Sequence, residues 1–168
     1  MKLKKISTEK DVEIVRSFFY DIFWEEVDYD LIHFKDSITK NHNFQRLEYY
    51  LGYENNNVVG ISGIYANNAN ECWLGWFGII PEYRRKGYAS AMINLQLEMM
   101  KNYGYKLCRL YTNEVINKVA VQLYTKIGFQ KDSDYENHII TMFKPLNDDT
   151  YISKWQGIPL GFVPEVPI

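Results

Sequence analysis

Apolar positions along this chain recur with two different spacings. Val12, Val15, Phe19 and Ile22 stand three, four and three residues apart, so they share one face of a helix that Ser7 or Thr8 can cap. Before it, Leu3 to Ile6 predicts a short first strand. Leu31, Phe34 and Ile38 predict a second, weaker helix over 30–40. Arg46 to Glu54 and Val58 to Tyr65 read as the two strands of a hairpin, because Asn55-Asn56-Asn57 between them tolerates positive φ. After a turn at Asn67 to Asn70, the run from Trp73 to Ile80 holds no polar side chain and predicts a strand buried on both faces, ended by Pro81. Tyr88, Met92, Leu95 and Met99 then predict the buried face of a helix that begins near Gly87 and stops at Gly104, with Ser90, Asn94, Glu98 and Lys101 on another face. Leu107 to Thr112 follows as a strand, so this strand–helix–strand passage is a right-handed parallel crossover. Ala120, Leu123, Tyr124 and Ile127 predict a short amphipathic helix closed by Gly128. The stretches Phe129 to Asp132 and Ile139 to Lys144 are expected to pair as the last two strands.

Length adds one domain, over 1–144, because 168 residues suffice for a single real core. Four of the five prolines lie at or beyond Pro145, so 145–168 reads as an irregular extension. Its Tyr151, Trp155, Ile158, Leu160 and Phe162 are too apolar for a free tail. The segment is expected to pack on the body, on a second copy in a homodimer, or over a substrate cleft.

A formal charge of −2 argues against a general nucleic-acid binder, which needs an excess or clustering of Lys and Arg. Cys72 and Cys108 sit in apolar strand-like runs and read as buried free thiols. His33, His42 and His138 are scattered, so no metal-ligand spacing appears. No run approaches the ~18 apolar residues of a membrane span, and polar Ser7 to Asp11 stands where a signal peptide needs an apolar region. A cytoplasmic protein is expected.

The junction between the apolar strand and the long helix carries the chemistry. The first N–H groups of a helix lack intrahelical partners and sit at the positive end of its dipole, so an anion placed there gains hydrogen bonds and a favourable field. Gly87 allows close backbone approach, Ala89 keeps side-chain bulk low, and Arg84, Arg85 and Lys86 add charge. Neither Gly-x4-Gly-Lys-Ser/Thr nor Gly-x-Gly-x-x-Gly occurs, so a P-loop and a dinucleotide fold are unsupported.

With Arg84-Arg-Lys-Gly87-Tyr-Ala89 the chain resembles the GNAT superfamily of acyl-CoA-dependent N-acyltransferases, whose pyrophosphate loop reads Gln/Arg-x-x-Gly-x-Gly/Ala. Asn117, Tyr124, Gly128 and Phe129 reproduce a second pattern of that family, Asn-x6-Tyr-x3-Gly-Phe, with the same spacing. The specific resemblance covers about residues 57–130. It implies an α+β fold with a central mixed, mostly antiparallel sheet of about seven strands and helices on both faces. It implies acetyl-CoA as cosubstrate, with pyrophosphate on Arg84, Arg85, Lys86, Gly87, Tyr88, Ala89 and Ser90. Pantetheine is then expected along Phe77, Gly78 and Ile79, with Asn117 beside it and Tyr124 as general acid. Asn117 also suits a helix N-cap, and Tyr124 a core tyrosine.

Many relatives carry an acid on the fourth strand, but Trp73 to Ile80 contains none. Glu71, with the strand parity of Trp73 and Gly75, is therefore the leading base, acting directly or through water. The family's acceptor site lies under its first helices, which makes Trp24, Glu25, Glu26 and Asp28 candidates to meet a cationic amine; the plain alternative is a solvated helix end. The implied function is acetyl transfer to a small-molecule amine. Acetylation of protein N-termini or lysines, and a non-catalytic CoA-binding module, are the alternatives.

Overall fold

Thr8 starts the first helix by a reciprocal cap: its hydroxyl accepts from the Asp11 N–H at 3.2 Å, and the Asp11 carboxylate accepts from the Thr8 N–H at 3.1 Å. Asn55 and Asn56, at φ of 48° and 65°, close the predicted hairpin. The computed structural model describes residues 1–24, 31–147 and 154–161. The elements run β1 (Lys2–Lys5), α1 (Glu9–Phe23), α2 (Ile32–Thr39), β2 (Arg46–Glu54), β3 (Asn57–Ala66), β4 (Glu71–Ile79), α3 (Tyr88–Asn102), β5 (Leu107–Asn113), α4 (Lys118–Ile127), β6 (Gln130–Asp134) and β7 (Ile139–Pro145). Single 3-10 turns stand at Pro81–Tyr83 and Glu136–His138.

The seven strands form one sheet in the order β1-β2-β3-β4-β5-β7-β6. Only β4 and β5 pair in parallel. Because side chains alternate along a strand, Tyr49, Leu51, Ile61, Tyr65 and Trp73 face α1 and α2, whereas Tyr50, Ile64, Leu74, Cys108 and Leu110 face α3 and α4. This is the α+β architecture with helices on both faces. Cys72 and Cys108 stand opposite one another on β4 and β5, both buried and both free.

Two expectations need correction. The buried stripe of α3 is Met92, Ile93, Gln96, Leu97 and Met100, not the row through Leu95 and Met99; Leu95 is exposed and Met99 only half-buried. The sheet sets this rotation. Met92 drops into the space over Gly52, where any Cβ would come within 2.6 Å of its sulfur. Strand β4 is also not buried along its whole length, since Gly75, Trp76 and Phe77 are half-exposed. The reason is a break in the sheet, described below.

The described part of the C-terminal segment, 154–161, lies on the α1/α2 face. The ring of Trp155 meets Trp73 edge-on at 4.9 Å and lies 5.4 Å from the Arg109 guanidinium. Its main-chain N–H donates to the Asp132 carboxylate at 3.0 Å, and the Tyr65 hydroxyl donates to the Leu160 carbonyl at 2.7 Å. Of the apolar residues named for this extension, Ile158 is exposed, and Tyr151 and Phe162 lie outside the described residues.

Asp11 supplies a pH-dependent brace. Burial alone would raise its carboxyl, but hydrogen bonds from Lys4, the Ser7 N–H and Thr8 outweigh that and hold it at about 2. A carboxyl depressed on folding stabilises the protein above its unfolded value, near 3.9, and that contribution fades as pH falls from about 4 to about 2. Asp11→Asn should therefore cost roughly 2 kcal/mol at pH 7 and progressively less below pH 4, read as the difference between urea unfolding curves of the two proteins.

Candidate active site

Parallel strands β4 and β5 are hydrogen-bonded only where Glu71, Cys72 and Trp73 face Leu107, Cys108 and Arg109. Beyond that point β5 continues with β7 up to Asn113, and β4 continues with β3 up to Ile79. The stretch of β4 from Leu74 to Ile79 thus has no ladder toward β5. A cleft opens between the carboxyl ends of two parallel strands, where main-chain groups are free to pair with something else.

A β-bulge coincides with the opening. Gly63 faces Gly75 and Ile61 faces Gly78, so three steps on β4 match two on β3, and Trp76 carries the extra residue at φ 43°. The bulge puts Trp76 on the α1/α2 face, among Phe19, Phe23, His33 and Phe34. Gly78 follows it under the end of α1, where a Cβ would come within 2.1 Å of Ile22. On the opposite face Phe77 meets the ring of Tyr124 at 6.3 Å. The bulge was not read from the sequence. Its signal was there, since isolated glycines inside an apolar strand mark bulges and close backbone approach.

Past Ile79 the chain turns through Pro81–Tyr83 into α3. Gly87 is the N-cap, at φ 83°, and a Cβ there would meet nothing within 4 Å. No side chain caps α3, and among the described residues no hydrogen bond takes up the N–H groups of Tyr88, Ala89 or Ser90. The same chain closes the start of α1 with Thr8 and Asp11, so the open start of α3 is a local property of this loop. Arg84 donates from Nε to the Ile79 carbonyl at 2.9 Å and Lys86 from Nζ to the Glu82 carbonyl at 3.0 Å. Both cations therefore brace the loop while adding positive charge to it. Arg85, at φ 61°, is exposed.

Tyr124 projects from α4 toward the cleft. Its ring is buried between Phe77 and Phe129, and burial, with Cys108 beside it, pushes the phenol above the ordinary tyrosine value. Its hydroxyl makes no hydrogen bond among the described residues. Asn117 occupies the N-cap position of α4, but its side chain does not cap; Nδ2 donates to the Thr112 hydroxyl at 3.1 Å, at the end of β5. Gly128 closes α4 at φ 109°, as expected from the spacing.

Glu71 is paired with Arg109. Its carboxylate accepts from Arg109 at 3.2 and 3.3 Å, and Arg109 is held on its other side by Asp132 at 2.8 Å. Glu71 also opens β4 at its paired end, five residues or roughly 16 Å before Trp76 at the usual rise per residue. Trp24 ends α1 at φ 59° and is 78% exposed. It lines a cavity of about 500 Å³ with Tyr20, Asp21, Ile80, Pro81 and Glu82. Glu25, Glu26 and Asp28 lie outside the described residues. Those described include no cluster of three or more His, Cys, Asp or Glu able to hold a metal, and no helix long and apolar enough to cross a membrane.

A broken parallel pair beside an uncapped helix can receive a ligand that carries both amide groups and an anion. The family model described as acetyltransferase (GNAT) family matches residues 12–129, and the chain belongs to that family. Among solved structures, the ribosomal-protein-S18-alanine N-acetyltransferase of Escherichia coli superposes with a TM-score of 0.69 at 15% identity, over 90% of this chain and 99% of that one. The spermidine N-acetyltransferase of Vibrio cholerae, solved with CoA and spermine, gives 0.69 at 16% identity, over 86% and 95%. The aminoglycoside 6'-N-acetyltransferase of Enterococcus faecium gives 0.70 at 11% identity, over 90% and 100%. At such identities the likeness is one of fold. No curated protein sequence matches the chain significantly.

Because the Tyr124 hydroxyl has no hydrogen-bond partner among the described residues, its removal should leave stability nearly unchanged. Tyr124→Phe is expected to melt within about 2 °C of the wild type, whereas Tyr124→Ala, which empties a buried ring site, should lose roughly 3–5 kcal/mol in chemical denaturation.

Proposed function

We propose that this protein transfers acetyl from acetyl-CoA to the primary amine of a small cationic molecule. The observation that carries the reading is the continuity of the open β4 edge at Phe77, Gly78 and Ile79 with the uncapped start of α3. A thioester-bearing cosubstrate supplies an activated acetyl group, and the residues present fit it. Main-chain groups on the open edge of Phe77 to Ile79, apart from the Ile79 carbonyl that Arg84 holds, pair with the amides of its arm. Its pyrophosphate takes the unclaimed N–H groups of Tyr88, Ala89 and Ser90, with Gly87 leaving room and Arg84, Arg85 and Lys86 balancing charge. Asn117 stands on the far side of the cleft, at the end of β5.

Transfer makes a C–N bond and breaks a C–S bond. Tyr124 serves as the acid: its phenol gives a proton to the departing sulfur and is reprotonated from solvent. Burial suits that role, since a phenol pushed upward keeps its proton at neutral pH. With Glu71 tied to Arg109, the amine gives up its own proton to water. The cavity at Trp24 supports a cationic acceptor, because the rings of Tyr20 and Trp24 and the carboxylates of Asp21 and Glu82 all favour positive charge.

Two measurements test this. Thiol release from acetyl-CoA with a panel of primary amines should show turnover, and Tyr124→Phe should lower it by ~10²–10⁴ with acetyl-CoA affinity unchanged; a mutant as fast as the wild type when chemistry limits would reduce Tyr124 to a packing residue. Gly87→Glu places a carboxylate where phosphate belongs. Calorimetry should show CoA binding weakened about tenfold or more, and undiminished binding would move the pyrophosphate elsewhere.

A further inference from the structure

Helix α3 carries one polar residue in its buried stripe. Gln96 stands among Met92, Ile93, Leu97 and Met100, is fully shielded from solvent, and leaves both Oε1 and Nε2 without a hydrogen-bond partner among the described residues. Ser62 on β3 is equally buried, and its hydroxyl is equally unpartnered. A carboxamide and a hydroxyl withdrawn from water with nothing to bond to are costly, whereas the apolar side chains that fill the rest of the stripe are not, so both residues call for a reason.

The two stand over one another. Met92 lies over Gly60, where a Cβ would come within 3.1 Å of its sulfur, and α3 runs along β3 because the crossover returns antiparallel to β4. One helical turn carries the chain roughly 6 Å from Met92 to Gln96, and two residues of strand carry it roughly 7 Å from Gly60 to Ser62. Parity puts Ser62 on the same face of the sheet as Ile64, Tyr50 and Phe77, beneath α3.

Ser62 also marks the bulge. The β3–β4 ladder pairs Ile61 with Gly78 and Gly63 with Gly75, so Ser62, Trp76 and Phe77 have no partner residue in it. A bulge of this kind leaves main-chain polar groups outside the regular ladder. The carboxamide, the hydroxyl and the irregular main chain of β4 therefore surround one point, directly behind the edge that faces the cleft. A water molecule suits the chemistry of that point. It donates twice and accepts twice, Gln96 offers donors and acceptors on one planar group, and a buried water typically makes about three bonds to polar groups that the protein leaves unpaired.

We propose that Gln96, Ser62 and the main chain of Trp76 and Phe77 hold one internal water, and that this water braces the β4 bulge and so sets the open edge of the cleft. Gln96 and Ser62 are positioning residues, since they reach the cleft only through the backbone of Trp76 and Phe77. That the braced edge then receives the arm of a thioester rests on the acetyl-transfer reading above; the water and the brace do not.

Gln96→Met keeps the length of the side chain and its helix preference while removing both polar atoms. A high-resolution crystal structure of the wild type should show a water within hydrogen-bond distance of Gln96, Ser62 and a main-chain group of Trp76 or Phe77, and the variant should lose it. Native-state amide exchange between Gly75 and Gly78 should quicken about tenfold in Gln96→Met and in Ser62→Ala, each shown by melting to be folded, with β6 and β7 unchanged. Acetyl-CoA should bind each variant about tenfold more weakly by calorimetry, and the double variant no more weakly than either single one, because both remove the same water. A plain packing role gives the opposite pattern: methionine in place of an unpaired carboxamide would raise the melting temperature and leave edge exchange and CoA affinity as they were. That result, or density in which Gln96 bonds to protein alone, would overturn the assignment. If exchange quickens as described but the wild type binds no CoA, the brace stands and the acetyl-transfer reading falls.

Discussion

The structure depends on where hydrogen bonding between β4 and β5 stops. A parallel pair held over its full length would leave no room for a ligand, because every main-chain group on the facing edges would be satisfied. Here three residue pairs are held and the rest are released. The bulge at Trp76 shifts β4 relative to β3, and β7 takes over the other edge of β5 along its whole length. The sheet therefore remains continuous in its outer strands while parting at one seam. Helix α3 begins beyond the top of that seam with the N–H groups of Tyr88, Ala89 and Ser90 unclaimed among the described residues, so the open edge of β4 and a cluster of free donors stand at the two ends of one short loop.

The paired end of the seam is equally specified. Arg109, buried on β5, holds Glu71 from β4 and Asp132 from β6, with Trp155 over its guanidinium. A cation withdrawn from water needs this company; without both carboxylates its burial would cost several kcal/mol. The knot ties together strands separated in sequence and sets the point at which β4 and β5 begin to part. It also engages both carboxylate oxygens of Glu71.

The helices are fitted around these constraints. Gly78 lets α1 settle on β4 directly beside the seam, which carries Trp24 and Tyr20 to its mouth. Gly52 gives Met92 its seat and fixes the rotation of α3. On the α1/α2 face the sheet beyond those two helices receives the described part of the C-terminal segment, which meets Arg109, Asp132, Trp73 and Tyr65. A cavity of about 460 Å³, lined by His33, His42 and Leu160 among others, is left where these two covers meet.

Much was determined by sequence alone, because it rests on local rules. The Thr8 cap, the Asn55-Asn56 turn, the Gly87 start and the Gly128 stop are consequences of what single residues do to a backbone within a few positions. The spacing from Arg84 to Ala89 and from Asn117 to Phe129 marked the open start of α3 and the helix that carries Tyr124. What only the tertiary structure decided involves partners distant in sequence. Whether a strand is covered along its whole length, as Trp73 to Ile80 suggested, depends on where its neighbour leaves it. The face that α3 buries depends on gaps in strands forty residues earlier, so periodicity chose the neighbouring row. Glu71 has the parity of a base, but its partner Arg109 lies thirty-eight residues away and claims it.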